Sequence, residues 1–314
     1  MSTANKQDLM AKVAWLYFVG NKTQQEIAQS LNISRPTINR MISQATDSGL
    51  VQVRISHSTR DCLELAETLQ RRYDLSLCEV APTLDGGENG DYRSIAALGG
   101  AVMERYLSDS RLAVIAVGFG RTLKAVVEGV SEIPAPHLKI LSLAGSVALD
   151  GSFNNFDVGL RLADKTGSKA FLLPMPVIAP STEERDHWHN GQLFPLVKQL
   201  YKEAEVAFVG IGDVQENCAL VADGFISAEE ALSLQSKGAV GEILGWAMNK
   251  HGERVNDGWA ERVTSFPLES LAKRPIIAFA GGERKIPAIL AALRGRWISG
   301  LVTDEATAVR LAAL

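Results

Sequence analysis

Four short runs place glycine beside side chains that hold anions or hydroxyls. They are Gly118-Phe119-Gly120-Arg121-Thr122, Ala144-Gly145-Ser146, Gly210-Ile211-Gly212-Asp213 and Gly281-Gly282-Glu283-Arg284-Lys285. Glycine lets backbone amides approach an anion closely, and the amino end of a following helix attracts negative charge. Arg121, Thr122 and Lys285 add cations and a hydroxyl suited to phosphate. Ser146 and Asp213 offer hydroxyl partners, as does Glu242 in Lys237-Gly238-Ala239-Val240-Gly241-Glu242. One strand–glycine–helix junction is as well explained by packing as by a ligand. Four of them imply a single crevice for an anionic, hydroxyl-rich small molecule. Neither the Gly-Lys-Ser/Thr of a P-loop nor the three spaced glycines of a dinucleotide site occurs.

These runs need elements to present them. A short strand is expected at 75–80, and mainly apolar strands without strict alternation at 113–117, 140–143, 169–173, 206–209, 276–280 and 301–302. Helical patterns lie at 92–107, 122–128, 159–166, 192–203, 239–248 and 286–295. This alternation specifies an α/β fold, a parallel sheet with helices on both faces, and ligands then sit beyond the strands' carboxyl ends. Residues 180–191 read as a loop, so that His187 and His189 would face one side of an extended segment. With no further His nearby, no metal site is expected, nor any other cofactor.

A second constellation occupies the first 50 residues. Residues 8–18 carry an apolar stripe that ends at Gly20-Asn21. Thr23-Gln24-Gln25-Glu26 is a capping box that starts a helix over 24–31, with Ile27, Ala28 and Leu31 inward. Asn32-Ile33-Ser34 is a turn, Ser34 the expected N-cap of a third helix, and Pro36 fits its first turn. That helix buries Ile38, Met41, Ile42 and Ala45. Its opposite face shows Arg35, Thr37, Asn39 and Arg40, the donors and acceptors that read base edges and hold phosphates. Together these features make a helix-turn-helix, with 50–55 as a candidate wing. Arg35, Thr37, Asn39 and Arg40 would enter the major groove, Thr23 and Gln24 would hold backbone phosphates, and Ser34 would start the recognition helix.

Bulk properties agree with a two-part chain of 314 residues and net charge −4. Residues 1–60 hold seven Lys/Arg against three Asp/Glu, a net of +4, which leaves −8 for the remainder. A basic head on an acidic body fits a head that meets a polyanion. Hydrophobic residues are 46% and charged residues 22%, ordinary for folded domains. Cys62, Cys78 and Cys218 have no metal spacing and cannot all pair, so they are expected as small core residues. No apolar run reaches the ~20 residues that span a bilayer, nor is there a signal peptide. The expected setting is cytoplasmic. The expected domains are 1–57 for DNA binding and 58–314 for the small molecule, the second being the effector-binding and oligomerisation domain that the resemblance described next implies. Residues 58–74 would form a linker helix that either packs on the body or helps pair two chains.

The residues resemble the SorC-type sugar-binding transcriptional regulators of bacteria from about Ala11 to the C-terminus. The runs that carry the likeness are Thr23-Gln24-Gln25-Glu26-Ile27-Ala28, Val117 through Thr122, Val209 through Gly212, Gly238 through Gly245, Ala280 through Lys285, and Leu301 through Thr307. The resemblance implies a helix-turn-helix followed by a Rossmann-like domain similar to phosphosugar isomerases. It implies operator DNA and a phosphorylated sugar or polyol as partners, and a homo-oligomer, dimer or tetramer. Gly118, Gly120 and Thr122 match the family's phosphate-contacting loop, and Glu242 and Lys285 match positions lining its effector pocket. Gly145 and Ser146 stand where a Gly-Gly pair is more usual. Some relatives use a nearby lysine to form a Schiff base, and this stretch has Ala144 instead, so noncovalent binding is expected. The alternative is a phosphosugar isomerase or deaminase with an accessory DNA-binding head, for which Asp213, Glu242 and Glu283 would be available carboxylates.

Overall fold

The computed structural model describes residues 3–51, 59–83, 92–148, 151–154, 158–256, 258–268 and 274–314. Most of the candidate wing at 50–55 and most of the loop after residue 81 lie outside them. The chain forms two compact units, Met1–Ser56 and His57–Leu314.

In the small unit, α1 (Thr3–Ala14) runs into one π-wound stretch, Trp15–Val19, before α2 (Gln24–Leu31) and α3 (Arg35–Asp47). The expected capping box is present: Thr23 Oγ1 accepts from the Glu26 amide, and Glu26 Oε2 accepts from the Thr23 amide at 2.8 Å. Asn32 ends α2 in the left-handed conformation (φ 54°), which sets the tight turn into α3. Val13, Ile27, Ile38, Met41 and Ile42 form the core, with Ala28 and Leu31 packed at its edge. One expectation is corrected. Ser34 stands at the N-cap position of α3 but caps no amide, because its hydroxyl bonds Thr37 Oγ1 at 2.8 Å.

The large unit begins with α4 (Arg60–Tyr73), β1 (Leu77–Ala81), α5 (Tyr92–Leu107), β2 (Val114–Val117), α6 (Arg121–Gly129), β3 (Lys139–Val147) and α7 (Gly159–Thr166). It continues through β4 (Lys169–Pro176), α8 (Thr182–His189), α9 (Leu193–Glu203), β5 (Val206–Gly210), α10 (Ala219–Ala222) and α11 (Ala228–Ser236). A hairpin of β6 (Ala239–Ile243) and β7 (Trp246–Asn249) precedes β8 (Ile276–Phe279), α12 (Ile286–Arg294), β9 (Gly300–Asp304) and α13 (Glu305–Ala313). Seven strands form one parallel sheet in the order β1-β9-β8-β5-β2-β3-β4. Alternate residues feed two cores. Ile115 and Val117 pack with α5, α6 and α7, whereas Val114 and Ala116 share a core with α4, α9 and α12. That two-sided burial is why the strands are predominantly apolar.

Three local expectations are overturned. Residues 239–248 are not helical but form the β6–β7 hairpin, whose two-residue turn has Leu244 at φ 57° and Gly245 at φ 84°. Its apolar run has no clear period, and a leucine replaces the usual Asn-Gly turn signal. Residues 182–189 form a helix capped by Ser181, so His187 and His189 do not share a face. His189 stacks on Phe194 (centroids 4.0 Å apart) and its ring contacts the Thr264 carbonyl oxygen at 3.0 Å.

The third correction concerns Ala144-Gly145-Ser146, which lies inside β3 rather than after it, because pairing with β4 continues to Val147. Gly145 is required there by the β4 backbone, since a methyl group would collide with the Met175 carbonyl and with Pro176. Gly145→Ala is therefore expected to cost about 1–3 kcal/mol through overpacking against immobile backbone. Thermal unfolding of the full chain checks this, and ligand binding by the body should survive at temperatures where the variant is folded.

Candidate functional site

Winding direction reverses between β2 and β5. From β2 the chain proceeds to β3 and β4 on one side, and from β5 to β8 and β9 on the other. The carboxyl ends of two such strands diverge, and the crevice between them is where α/β sheets bind ligands. A cleft lies at this point, with about 770 Å³ of space that takes in the open solvent at its mouth.

The runs after β2, β5 and β8 meet in this cavity. Gly120, Arg121 and Thr122 line it with Gly212, Asp213, Glu242 and Lys285. Gly120 precedes α6 at φ 127° with open space where a side chain would stand, so no side chain at this position shields the start of the helix. The Thr122 hydroxyl is buried with no hydrogen-bond partner. A buried hydroxyl left unpaired is unfavourable, and a ligand oxygen would satisfy it.

Three residues expected here lie elsewhere. Gly118 does not line the cavity. Its amide donates to the Phe208 carbonyl at 2.8 Å, and a methyl at this position would press on Leu244. Gly145 and Ser146 are held in β3, where Ser146 Oγ donates to the Leu173 carbonyl at 2.8 Å. The pattern of glycine beside a polar residue was the same as at the true strand ends, but these two positions belong to sheet packing.

Glu242 is positioned by the hairpin. Gly212 and Glu242 exchange two backbone hydrogen bonds (3.0 and 2.9 Å), which anchors β6 to the end of β5. Glu242 Oε2 accepts from the Gly245 amide at 2.7 Å, and the Gly245 carbonyl accepts from Trp259 Nε1 at 2.8 Å. Burial pushes the Glu242 carboxyl up to about 7, against the stabilising Gly245 amide and the Lys285 charge. Burial likewise lowers Lys285, opposed by Asp213 and Glu242. The Lys285 ammonium stands 6.0 Å from the Tyr92 ring centroid.

Further lining residues escaped the sequence. Arg284 was within a recognised run, and its Nη2 lies 3.2 Å from Asp213 Oδ1. Asp223, 2.8 Å from Arg121 Nη2, follows the one-turn helix α10 in a segment without any motif. Tyr92, Asn217 and Leu244 carried no signal either, Leu244 because its segment reads as helix.

On the small unit, Thr23, Ser34, Arg35, Asn39 and Arg40 are exposed, and Gln24 and Thr37 are half-buried. Gln24 Nε2 donates to Asn39 Oδ1 at 3.0 Å, joining α2 to the outer face of α3. The Thr23 hydroxyl donates to Glu26 Oε2 at 2.9 Å, so its proton is already committed to the cap.

A family model described as "Putative sugar-binding domain" matches residues 57–313, and one described as "Winged helix-turn-helix DNA-binding" matches residues 20–52. The erythritol catabolism regulatory protein EryD of Brucella abortus is 34% identical over 310 residues, covering 98% of each chain. The chain belongs to the SorC-type family of sugar-binding transcriptional regulators. The transcriptional regulator LsrR of Enterobacter sp. is 33% identical, over 98% of this chain and 94% of its own. The full-length sorbitol operon regulator SorC of Klebsiella pneumoniae superposes with a TM-score of 0.72 at 26% identity, covering 97% and 98% of the two chains. This regulator is thus a DNA-binding protein with a sugar-binding body, and its relatives are regulators, not enzymes. Among the described residues no helix is long and apolar enough to cross a membrane, and no three His, Cys, Asp or Glu side chains are grouped to hold a metal.

The raised Glu242 carboxyl has a consequence for stability. Between its ordinary value near 4.5 and about 7, the folded regulator holds a proton that the unfolded chain releases. This contribution is fully present below the lower value and is lost as pH rises through the upper one. Glu242→Gln is expected to flatten the decline between those limits and to raise stability at pH 8 relative to the parent chain. Denaturant unfolding across pH measures both.

Proposed function

We propose that the body binds a phosphorylated sugar or polyol, noncovalently, and that this effector controls the head's occupancy of operator DNA in a sugar or polyol catabolic operon. The setting is the bacterial cytoplasm. The observation that carries the phosphate assignment is the Gly120–Thr122 turn: a helix start that no side chain at Gly120 shields, a buried hydroxyl without a partner, and Lys285 in the same cavity. Lys285 and the α6 amides would meet the phosphate. Glu242 and Asp213 would accept from sugar hydroxyls. The names of EryD and SorC, which refer to erythritol and sorbitol, support a sugar alcohol or its phosphate as the chemical class.

On the head, Arg35, Asn39 and Arg40 enter the major groove with Thr37 beside them, while Gln24 and Thr23 lie at the backbone. The regulator acts as a homo-oligomer, dimer or tetramer, with two heads reading an inverted repeat. An effector that binds two states of the assembly unequally shifts DNA occupancy by that difference and no more.

A thermal-shift screen of phosphorylated and free sugars and polyols tests the body. A ligand at about 100 times its dissociation constant adds about 2.7 kcal/mol. Selective stabilisation by a phosphorylated compound is expected, and a response to free sugars alone would overturn the phosphate assignment. Thr122→Val should weaken that phosphorylated ligand about tenfold, the cost of roughly one hydrogen bond to a charged group, and leave the fold intact. Arg40→Ala should cost about 1–3 kcal/mol of operator affinity and leave effector binding unchanged. Parallel gel-shift and calorimetric titrations read both effects, and loss of both functions would refute the division of labour.

A further inference from the structure

The cavity's charged lining is balanced: Arg121, Arg284 and Lys285 face Asp213, Asp223 and Glu242. The two arginines are already engaged, Arg121 with Asp223 at 2.8 Å and Arg284 with Asp213 at 3.2 Å. Both partner carboxylates are largely buried, with side chains 14% and 11% exposed. Drawing either arginine away would leave a buried carboxylate uncompensated, which is strongly unfavourable. Lys285 differs. Among the described residues it has no carboxylate within ion-pair distance: Asp213 and Glu242 act on its charge from farther off, and the Tyr92 ring lies 6.0 Å from its ammonium. The Thr122 hydroxyl, also unpartnered, lines the same cavity at the first turn of α6.

We propose that this cavity accommodates one phosphate and no second anion: the effector is a monophosphorylated, otherwise uncharged sugar or polyol, and Asp213 and Asp223 are the specificity residues that exclude bisphosphates and sugar acids. The inference rests on the phosphate assignment above and goes further by fixing the charge of the rest of the ligand. A single dianion is met by Lys285, the α6 amides and Thr122. The remainder of the molecule then faces Asp213, Asp223 and Glu242, whose oxygens meet hydroxyls, and the two aspartates repel a second phosphate or a carboxylate. Engaging Arg121 through Asp223 removes the cation that would otherwise receive it. Like charges brought together in a desolvated site discriminate more strongly than any added attraction.

The test uses the full chain and matched pairs that differ by one anionic group, titrated calorimetrically. Fructose 6-phosphate is compared with fructose 1,6-bisphosphate, ribulose 5-phosphate with ribulose 1,5-bisphosphate, and glucitol 6-phosphate with 6-phosphogluconate. The singly charged-group member of each pair that binds is expected to do so at least about tenfold more tightly than its partner. Asp223→Asn, by releasing Arg121, should narrow the gap to about threefold or less, and Asp213→Asn should do the same through Arg284. Thermal unfolding confirms that each variant is folded; the gap is the ratio of the two affinities within a pair, so it is read even where the substitution weakens both members, and one folded variant suffices. Equal or tighter binding of the bisphosphates overturns this inference and leaves the phosphate assignment standing, as does an unchanged gap in a folded variant. Binding of free polyols with no phosphorylated compound overturns both.

Discussion

The functional architecture of the body depends on the reversal of chain winding between β2 and β5. Parallel strands with helices on both faces leave no gap along the sheet, so a ligand has room only where successive crossovers depart in opposite directions. At that gap the glycine turns after β2 and β5 come side by side. The hairpin β6–β7 completes the site from outside the sheet, through the two backbone hydrogen bonds that join Glu242 to Gly212. Placing a carboxylate at the end of a strand is ordinary. Burying it under a hairpin turn, with its proton affinity raised to about 7, requires this docking.

Charge distribution inside the cavity follows from the same geometry. Residues separated by 102 positions, Arg121 and Asp223, form one of its ion pairs, and residues separated by 71, Arg284 and Asp213, form the other. Each pair ties the segment after β5 to an anion-attracting turn. Among the described residues of the lining, the groups suited to an anion that stand outside such pairs are the α6 amino end, Thr122 and Lys285. This asymmetry is what the proposals about effector chemistry rest on. It is a property of pairing, since the composition of the lining alone is neutral.

The head obeys a simpler logic. A capping box fixes where α2 begins, a left-handed Asn32 fixes where it ends, and five apolar residues lock α3 against its partners. The polar face of α3 is then outward by exclusion. Local signals sufficed because every contact that matters lies within about 40 residues of sequence, and short-range capping and periodicity are written in residue types.

In the body, legibility divides along the same line. Apolar runs bounded by glycine turns specified the parallel α/β layers, and Gly120, Arg121, Thr122, Gly212, Asp213, Glu242 and Lys285 do converge on one cavity. Gly145 carried the same signature and turned out to serve strand packing, because where β3 ends depends on how far β4 runs alongside it. The hairpin was misread as helix, since its period is ambiguous and only docking against β5 selects the turn. Asp223, Tyr92 and Leu244 were silent. The sequence by itself therefore determined the two-part organisation, the helix-turn-helix and the anion-attracting turns, all set by local backbone preference and hydrophobic period. Which glycines face the cavity, and which of its described cations stand outside an ion pair, was settled only in three dimensions, because both depend on contacts between residues far apart in the chain.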